Sequence, residues 1–358
     1  MSGSVIGRLR LMSQGVARPN SAAPEDVVAW MGAMQAQDYH QCVWALGARS
    51  PSSTLTGVEQ AIADGKILRT WPMRGTIHLV PPEDAKWMVQ LSAARMIAKD
   101  KRRLEQLELD DTILGRSKAL IYDMLAGQGP RTRSDILATL EAAGIRTDGA
   151  RGYHILWHMA HGAVICLGPL AGKEQTFVLL DEWVPRSREL TREEALVELA
   201  KRYFISHGPA TVQDFAWWAG LTLTEARQGL SGTSAALAKK RIDGMDYWLS
   251  PHTPDEKDAF GVYILPGFDE FFLGYTDRSA VLEAQHAAKV CPGGNGVFYP
   301  MIVVDGQIVG TWKRAIKKQT VTITREAFDG LTTAQVEAFE QAAQRYAAFL
   351  GLRAVFES

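Results

Sequence analysis

The chain has almost no net charge, few cysteines and no long apolar run, and each shortage removes a class of protein. Lysine and arginine number 39 against 40 acidic residues, a net charge of −1 over 358 residues. That balance counts against a nucleic-acid surface spread over the whole chain, because such proteins are usually basic. The three cysteines, Cys42, Cys166 and Cys291, are too scattered for a disulfide framework or a CxxC zinc site and read as reduced core thiols. No apolar stretch approaches the roughly 20 residues of a membrane span. The N-terminal "MSGSVIGRLRLMSQ" sets arginines inside its apolar stretch and has no h-region, so it does not read as a secretory signal. The expectation is a cytoplasmic protein without membrane partners. What remains, 46% hydrophobic and 22% charged residues, is globular, and the length suits two to four small domains.

Charge is distributed unevenly. Basic residues cluster in "RMIAKDKRR" (95–103), "AKKR" (238–241) and "TWKRAIKK" (311–318), while "TREEALVELA" and "HTPDEKD" are acidic. Each cluster reads either as a solvated face or as a footprint for a polyanion. Most of the ten tryptophans belong in a core.

A repeat organises the middle of the chain. "GPRTRSDI" (129–136) and "GPATVQDF" (208–215) share G-P-x-T-x-x-D followed by an apolar residue. Gly-Pro closes one helix, Thr132 or Thr211 caps the next, and Asp135 or Asp214 takes the third helical position of a capping box. Around both copies the pattern is helix, helix, helix, hairpin, the order of a winged helix. The first copy's hairpin is expected at 163–167 and 176–180, the second's at 241–242 and 247–249 around Asp243-Gly244. The N-terminal part follows the same order without the signature: helices in "PEDVVAWMGAM", "HQCVWALGA" and "TGVEQAIADG", then "KILRT" pairing with "GTIHLV" across 71–74. After about residue 258 the pattern becomes alternating strands with glycine-rich turns, including "GVYILPG", "FFLGYTDRS" and "MIVVDGQIVGTW", whose Asp305-Gly306 suits a type I′ turn. A closing helix is expected at 332–350. The fold expected is α+β: winged helices at 1–110, 111–188 and 189–256, then a β-rich domain at 257–358.

Winged helices usually set their third helix in the major groove of DNA, although the same fold also serves protein contacts. The first hairpin carries Trp71, Pro72, Met73 and Arg74 at its expected tip. Such a tip would suit a wedge entering a base stack, or equally a surface packed on a neighbouring domain. His154, His158 and His161 fall on one helical face, but no carboxylate or cysteine keeps step with them and there is no HExxH, so no metal or other cofactor is expected.

The stretch "MGAMQAQDYH" (31–40) raises a sharper question. On a continuous helix Gln35 and Gln37 would point about 200° apart; if the helix stops and the chain extends, they share a face. A glutamine does not titrate usefully and cannot be a general base. Two of them can orient a water or stabilise a developing cation, which suits a reaction whose leaving group is already activated. They can also be plain surface or capping amides.

The markers "MQAQDYH", "RGTIHLVPPED", "LPGFDEFFLGYTDRS" and "GNGVFYPMIVVDGQIVGTWKR" make nearly the whole chain resemble the AlkZ-like DNA glycosylases, a family of tandem winged-helix proteins. The resemblance implies that Gln35-Ala36-Gln37 matches the family's catalytic Gln-Φ-Gln motif, with Asp38 a secondary candidate for polarising water. It implies a monofunctional glycosylase that releases N7-alkylated guanine from double-stranded DNA as the first step of base excision repair, with crosslink unhooking by some members. The protein would then be a monomer, cytoplasmic and nucleoid-associated when bound to DNA. Arg69, Trp71, Met73, Arg74 and His78 of the first hairpin, with Lys313 and Arg314, are the candidate DNA contacts. Two other readings fit the same residues: a non-catalytic transcriptional regulator, which would bind DNA without releasing a base, and a scaffold, which would show no salt-dependent DNA affinity.

Overall fold

Threonine followed three residues later by an acid or amide starts helix after helix in this chain. Thr132, Thr211, Thr222 and Thr332 each accept a hydrogen bond from the backbone N–H three residues on, and in the last three the third residue's side chain returns the bond to the cap. Hairpin turns are equally local. Arg74-Gly75, Asp243-Gly244 and Asp305-Gly306 all hold two successive positive φ angles, the type I′ geometry that matches strand twist.

The structure, a computed structural model, describes residues 2–19, 23–294 and 296–357. It is a mixed α/β protein in which one order recurs three times. Helices Pro24–Met31, Tyr39–Gly47 and Leu55–Ala63 precede the hairpin Leu68–Met73/Thr76–Val80. Helices Asp111–Leu125, Arg133–Ala142 and Arg151–His161 precede Ile165–Leu167/Thr176–Leu179. Helices Arg192–His207, Val212–Ala219 and Leu223–Thr233 precede Ala238–Ile242/Met245–Leu249. Among the described residues no helix is long and apolar enough to cross a membrane.

The chain packs as two units, residues 1–60 with 196–358, and residues 61–195. In the first, five strands lie in the order Arg353–Glu357, Thr320–Ala327, Gln307–Lys317, Met301–Val304, Val262–Leu265. All neighbours are antiparallel except the last strand in the chain, Arg353–Glu357, which runs parallel to Thr320–Ala327. The helix Thr333–Phe349 makes that return possible, since a parallel pair needs a crossover. Leu11 and Met12 of the helix Ser2–Ser13 join Phe271, Phe272, Leu273, Met301 and Val303 in one core. Gly7 of that helix meets the Asp305-Gly306 turn so closely that a Cβ would strike the Gly306 carbonyl. In the second unit the strands Thr76–Val80, Leu68–Met73, Ile165–Leu167, Thr176–Leu179 and Arg131–Thr132 lie side by side in that order.

Three sequence expectations need correction. "FFLGYTDRS" is not a strand: Asp269 accepts from the Phe271 N–H at 2.8 Å and starts a short helix, Glu270–Leu273, all four residues of which are buried. A run buried on every side lacks the alternation a half-buried strand needs. The first hairpin turns at Arg74-Gly75, so Trp71, Pro72 and Met73 belong to the strand Leu68–Met73 and not to a tip. All three are buried, so the turn presents no apolar wedge. The opening helix Ser2–Ser13 and the final strand Arg353–Glu357 had no counterpart in the periodicity.

Candidate active site

The helix Pro24–Met31 ends because Gly32 takes φ +76 and returns its N–H to the Val28 carbonyl, a conformation that glycine adopts at little cost. The chain then runs extended through Met34–Gln35. Asp38 accepts from the Gln41 N–H at 3.1 Å and caps the next helix, Tyr39–Gly47. "AQD" is therefore a short connection pinned between two helices. A glycine stop and an aspartate start, with five residues between them, put the motif on non-helical backbone.

Gln35 is fixed at both ends. Its backbone N–H donates to Glu270 Oε1 at 2.8 Å, and its side-chain Oε1 accepts from the Gln37 N–H at 3.0 Å. Its side chain is buried while Gln37 and Asp38 are exposed. The two glutamines form one closed turn: Gln35 braces the main chain that presents Gln37. Asp38 is accounted for by its capping role.

Behind Gln35 lies a buried polar network. Glu270 Oε2 accepts from Trp218 Nε1–H at 2.9 Å and lies 3.3 Å from His207 Nε2; His207 Nδ1 lies 2.8 Å from Ser206 Oγ. Burial lowers the pKa of His207, and its hydrogen bond to Glu270 only partly opposes this. Tyr203 stacks on His207 with ring centroids 4.8 Å apart. Beside Glu270, Asp269 receives a two-pronged bond from Arg49, Nη1 to Oδ2 and Nη2 to Oδ1, each at 2.8 Å. Arg49 also donates to the Ala45 and Gln14 carbonyls and to Gln14 Oε1. Burial alone would lower the Arg49 pKa; the Asp269 charge and hydrogen bonds more than reverse that and keep the guanidinium charged. Breaking a buried pair of this kind by removing one partner costs about 3–5 kcal/mol.

The other candidates scatter. Lys313 is exposed and pairs across the strand with Glu326 at 3.4 Å, while Arg314 donates to the Tyr346 hydroxyl. In the second unit Arg69, Trp71, Met73 and His78 are buried, and Arg74 is half-buried at the turn. His78 donates through Nδ1 to the Thr76 carbonyl at 2.9 Å. The histidine stripe separates into individual fates. His154 binds Asp100 at 2.8 Å, burial lowers the His158 pKa, and His161 binds the Trp157 carbonyl at 3.0 Å. Among the described residues no group of three His, Cys, Asp or Glu could hold a metal.

Glu270, His207, Trp218 and the Arg49–Asp269 pair were not singled out by sequence reasoning. One signal was present in "GFDEFFLG": two adjacent carboxylates inside an apolar run, where Asp and Glu are rarely buried without partners.

The chain as a whole is similar to known proteins. A family profile described as "DNA glycosylase AlkZ-like" matches residues 28–349. A curated relative, an interstrand DNA cross-link repair glycosylase from Streptomyces sahachiroi, is 25% identical over 342 residues, 87% of this chain and 88% of its own. Among solved structures, the S. sahachiroi DNA glycosylase AlkZ matches with a TM-score of 0.80 and 23% identity over 99% of both chains. At that identity the structural likeness speaks for the fold.

Proposed function

Since the chain belongs to the AlkZ-like DNA glycosylase family, we propose that it hydrolyses the N-glycosidic bond of N7-alkylated guanine in double-stranded DNA, including guanines held in interstrand crosslinks. The observation that carries the chemistry is the Gln35–Gln37 turn: two non-titrating amides, one locked and one exposed, beside an Asp38 whose Oδ1 caps the next helix. Guanine alkylated at N7 is cationic. When C1′–N9 breaks, the bonding pair returns to N9 and the base leaves neutral, so no proton need be supplied. The sugar becomes oxocarbenium-like, water adds to C1′, and the released proton passes to solvent. Gln37 presents its amide oxygen to the attacking water. Gln35 holds the main chain of Gln37 and adds the dipole of its own amide at the developing cation. Preorganised dipoles of this kind need no reorganisation during the reaction.

In this reading the three helix–helix–helix–hairpin runs are winged helices at 1–110, 111–188 and 189–256, and the protein acts as a monomer. Arg74 at the turn of the first hairpin, with Lys313 and Arg314, supplies phosphate contacts; the buried Arg69, Trp71, Met73 and His78 support that hairpin from within. The likeness to the S. sahachiroi interstrand DNA cross-link repair glycosylase supports the crosslink part of the reading.

The test is release of N7-methylguanine from a methylated duplex by wild type, Gln35→Ala and Gln37→Ala. Release by wild type with a loss of about 10²- to 10³-fold in each variant is expected. Salt-sensitive duplex binding without release would make the protein a DNA-binding regulator.

A further inference from the structure

The segment from Gln35 to Arg49, which holds the two glutamines and the helix after them, is tied at three points to a single turn, residues 267–270. Gln35 N–H reaches Glu270 Oε1 at 2.8 Å, Gln41 Oε1 accepts from the Gly267 N–H at 2.9 Å, and Arg49 forks onto Asp269. The turn itself is strained: Phe268 holds φ +62, a left-handed conformation that a bulky residue rarely adopts and that clusters at functional sites. There is no slack behind it either. A Cβ on Gly274 would lie 2.6 Å from the Glu270 carbonyl and 2.9 Å from the His207 ring.

Glu270 is 1% exposed. A carboxylate so placed is costly to desolvate, and well-packed apolar residues often replace buried ions without loss of stability. Here the charge gathers the Gln35 backbone, Trp218 Nε1–H and His207 Nε2 onto one group. The sequence Ser206–His207–Glu270 is not a hydrolytic triad: Ser206 and His207 are both fully buried. A nucleophile must reach its substrate.

We propose that Glu270 is the positioning residue of the Gln35–Gln37 turn, its carboxylate setting the register of the extended connection and thereby the direction in which Gln37 is presented. The inference rests on the reading of these glutamines as a glycosylase site. Glu270 does not touch substrate and acts through the Gln35 backbone.

Two variants separate shape from charge. Glu270→Gln keeps the volume but turns an N–H₂ toward one set of donors, and Glu270→Asp keeps the charge but withdraws it by one methylene. Each is measured for single-turnover release of N7-methylguanine, for duplex affinity, and for amide hydrogen exchange at residues 33–37. Both are expected to release base about 10²-fold more slowly, with duplex affinity changed by less than about twofold and faster exchange confined to the Gln35–Gln37 connection. Should one variant fail to fold, the other carries the test. Wild-type release rates in a folded variant overturn the proposal. If the wild-type protein itself releases no base, the glycosylase reading fails separately, and exchange alone decides: unchanged protection at Gln35 overturns the anchor, and faster exchange upholds it.

Discussion

The two copies of G-P-x-T-x-x-D use one local code for two purposes. In the first copy Thr132 caps the helix Arg133–Ala142 and donates to Asp135 Oδ2 at 2.7 Å, and Asp135 is exposed. In the second, Asp214 is 2% exposed and both of its oxygens are used. Oδ2 accepts from the Thr211 backbone and hydroxyl at 2.9 Å, and Oδ1 accepts from the Thr276 N–H at 3.0 Å. The helix that Thr211 and Asp214 cap together, Val212–Ala219, also carries Trp218, which donates to Glu270. Local sequence thus specifies that a helix begins; only packing decides whether the cap is a surface device or part of the frame behind Gln35.

The largest test of this contrast is Asp214→Ala. It strands the buried N–H and hydroxyl of Thr211, and leaving a buried donor without its acceptor costs about 1–3 kcal/mol each. A loss of about 4 kcal/mol in urea unfolding is expected. Because the helix start also sets Trp218 against Glu270, folded variant protein should release N7-methylguanine more slowly with little change in duplex affinity. A stability loss under about 1 kcal/mol, the value of an ordinary surface cap, would erase the distinction between the copies.

Acid provides a second test, on the unit that holds the first copy. His161 is 1% exposed and stacks on Trp157 at 3.7 Å between centroids. Its Nδ1 is taken by the Trp157 carbonyl, and its Nε2 has no hydrogen-bond partner among the described residues. Burial pulls its pKa from 6.5 down to about 4. The folded value lies below the unfolded one, so between those values the unfolded chain binds more protons. The stabilisation is whole above pH 6.5 and is lost as pH falls toward 4, amounting to about 3 kcal/mol. His207, in the other unit, is also lowered by burial, but Glu270 opposes the shift. His161→Phe should therefore make the acid limb of the stability curve shallower, measured by urea midpoints from pH 7 to 4, with His158 and His207, also lowered by burial, keeping the rest. An unchanged limb would assign the acid sensitivity elsewhere.

Legibility from sequence followed the range of the interactions. The caps at Thr132 and Thr211, the turns at Asp243-Gly244 and Asp305-Gly306, and the recurring order of three helices and a hairpin rest on residues a few positions apart, and these were readable. The break in helix before Gln35 was readable in part, because the stop at Gly32 is local while the anchoring of Gln35 on Glu270 spans 235 residues. "FFLGYTDRS" misled because its apolar residues are buried by packing on all sides; only the Asp269 cap marks the helix, and it precedes the quoted run. The shift of the first turn from 71–74 to Arg74-Gly75 has a similar origin: Trp71 and Met73 fit a strand or an apolar tip equally well until burial separates the two. Glu270 and Arg49 could be found only through contacts, since a carboxylate and a guanidinium announce their partners by geometry and not by spacing.

The smallest test is Asp135→Ala in the first copy. Thr132 Oγ1 already accepts from the Asp135 N–H at 3.1 Å, and that backbone bond survives the substitution. What is lost is the 2.7 Å bond from the Thr132 hydroxyl to an exposed carboxylate and the favourable charge in the first helical turn, worth about 0.3–1 kcal/mol at a surface. The expected change is about 0.5 kcal/mol, readable as a small shift in urea midpoint that shrinks further at high salt because the charge is solvated. Base release should be unaffected, since the helix Arg133–Ala142 contributes nothing to the Glu270 network. A loss near that of Asp214→Ala would show that the exposed cap also holds tertiary structure, and the two copies would then be equivalent in use as well as in sequence.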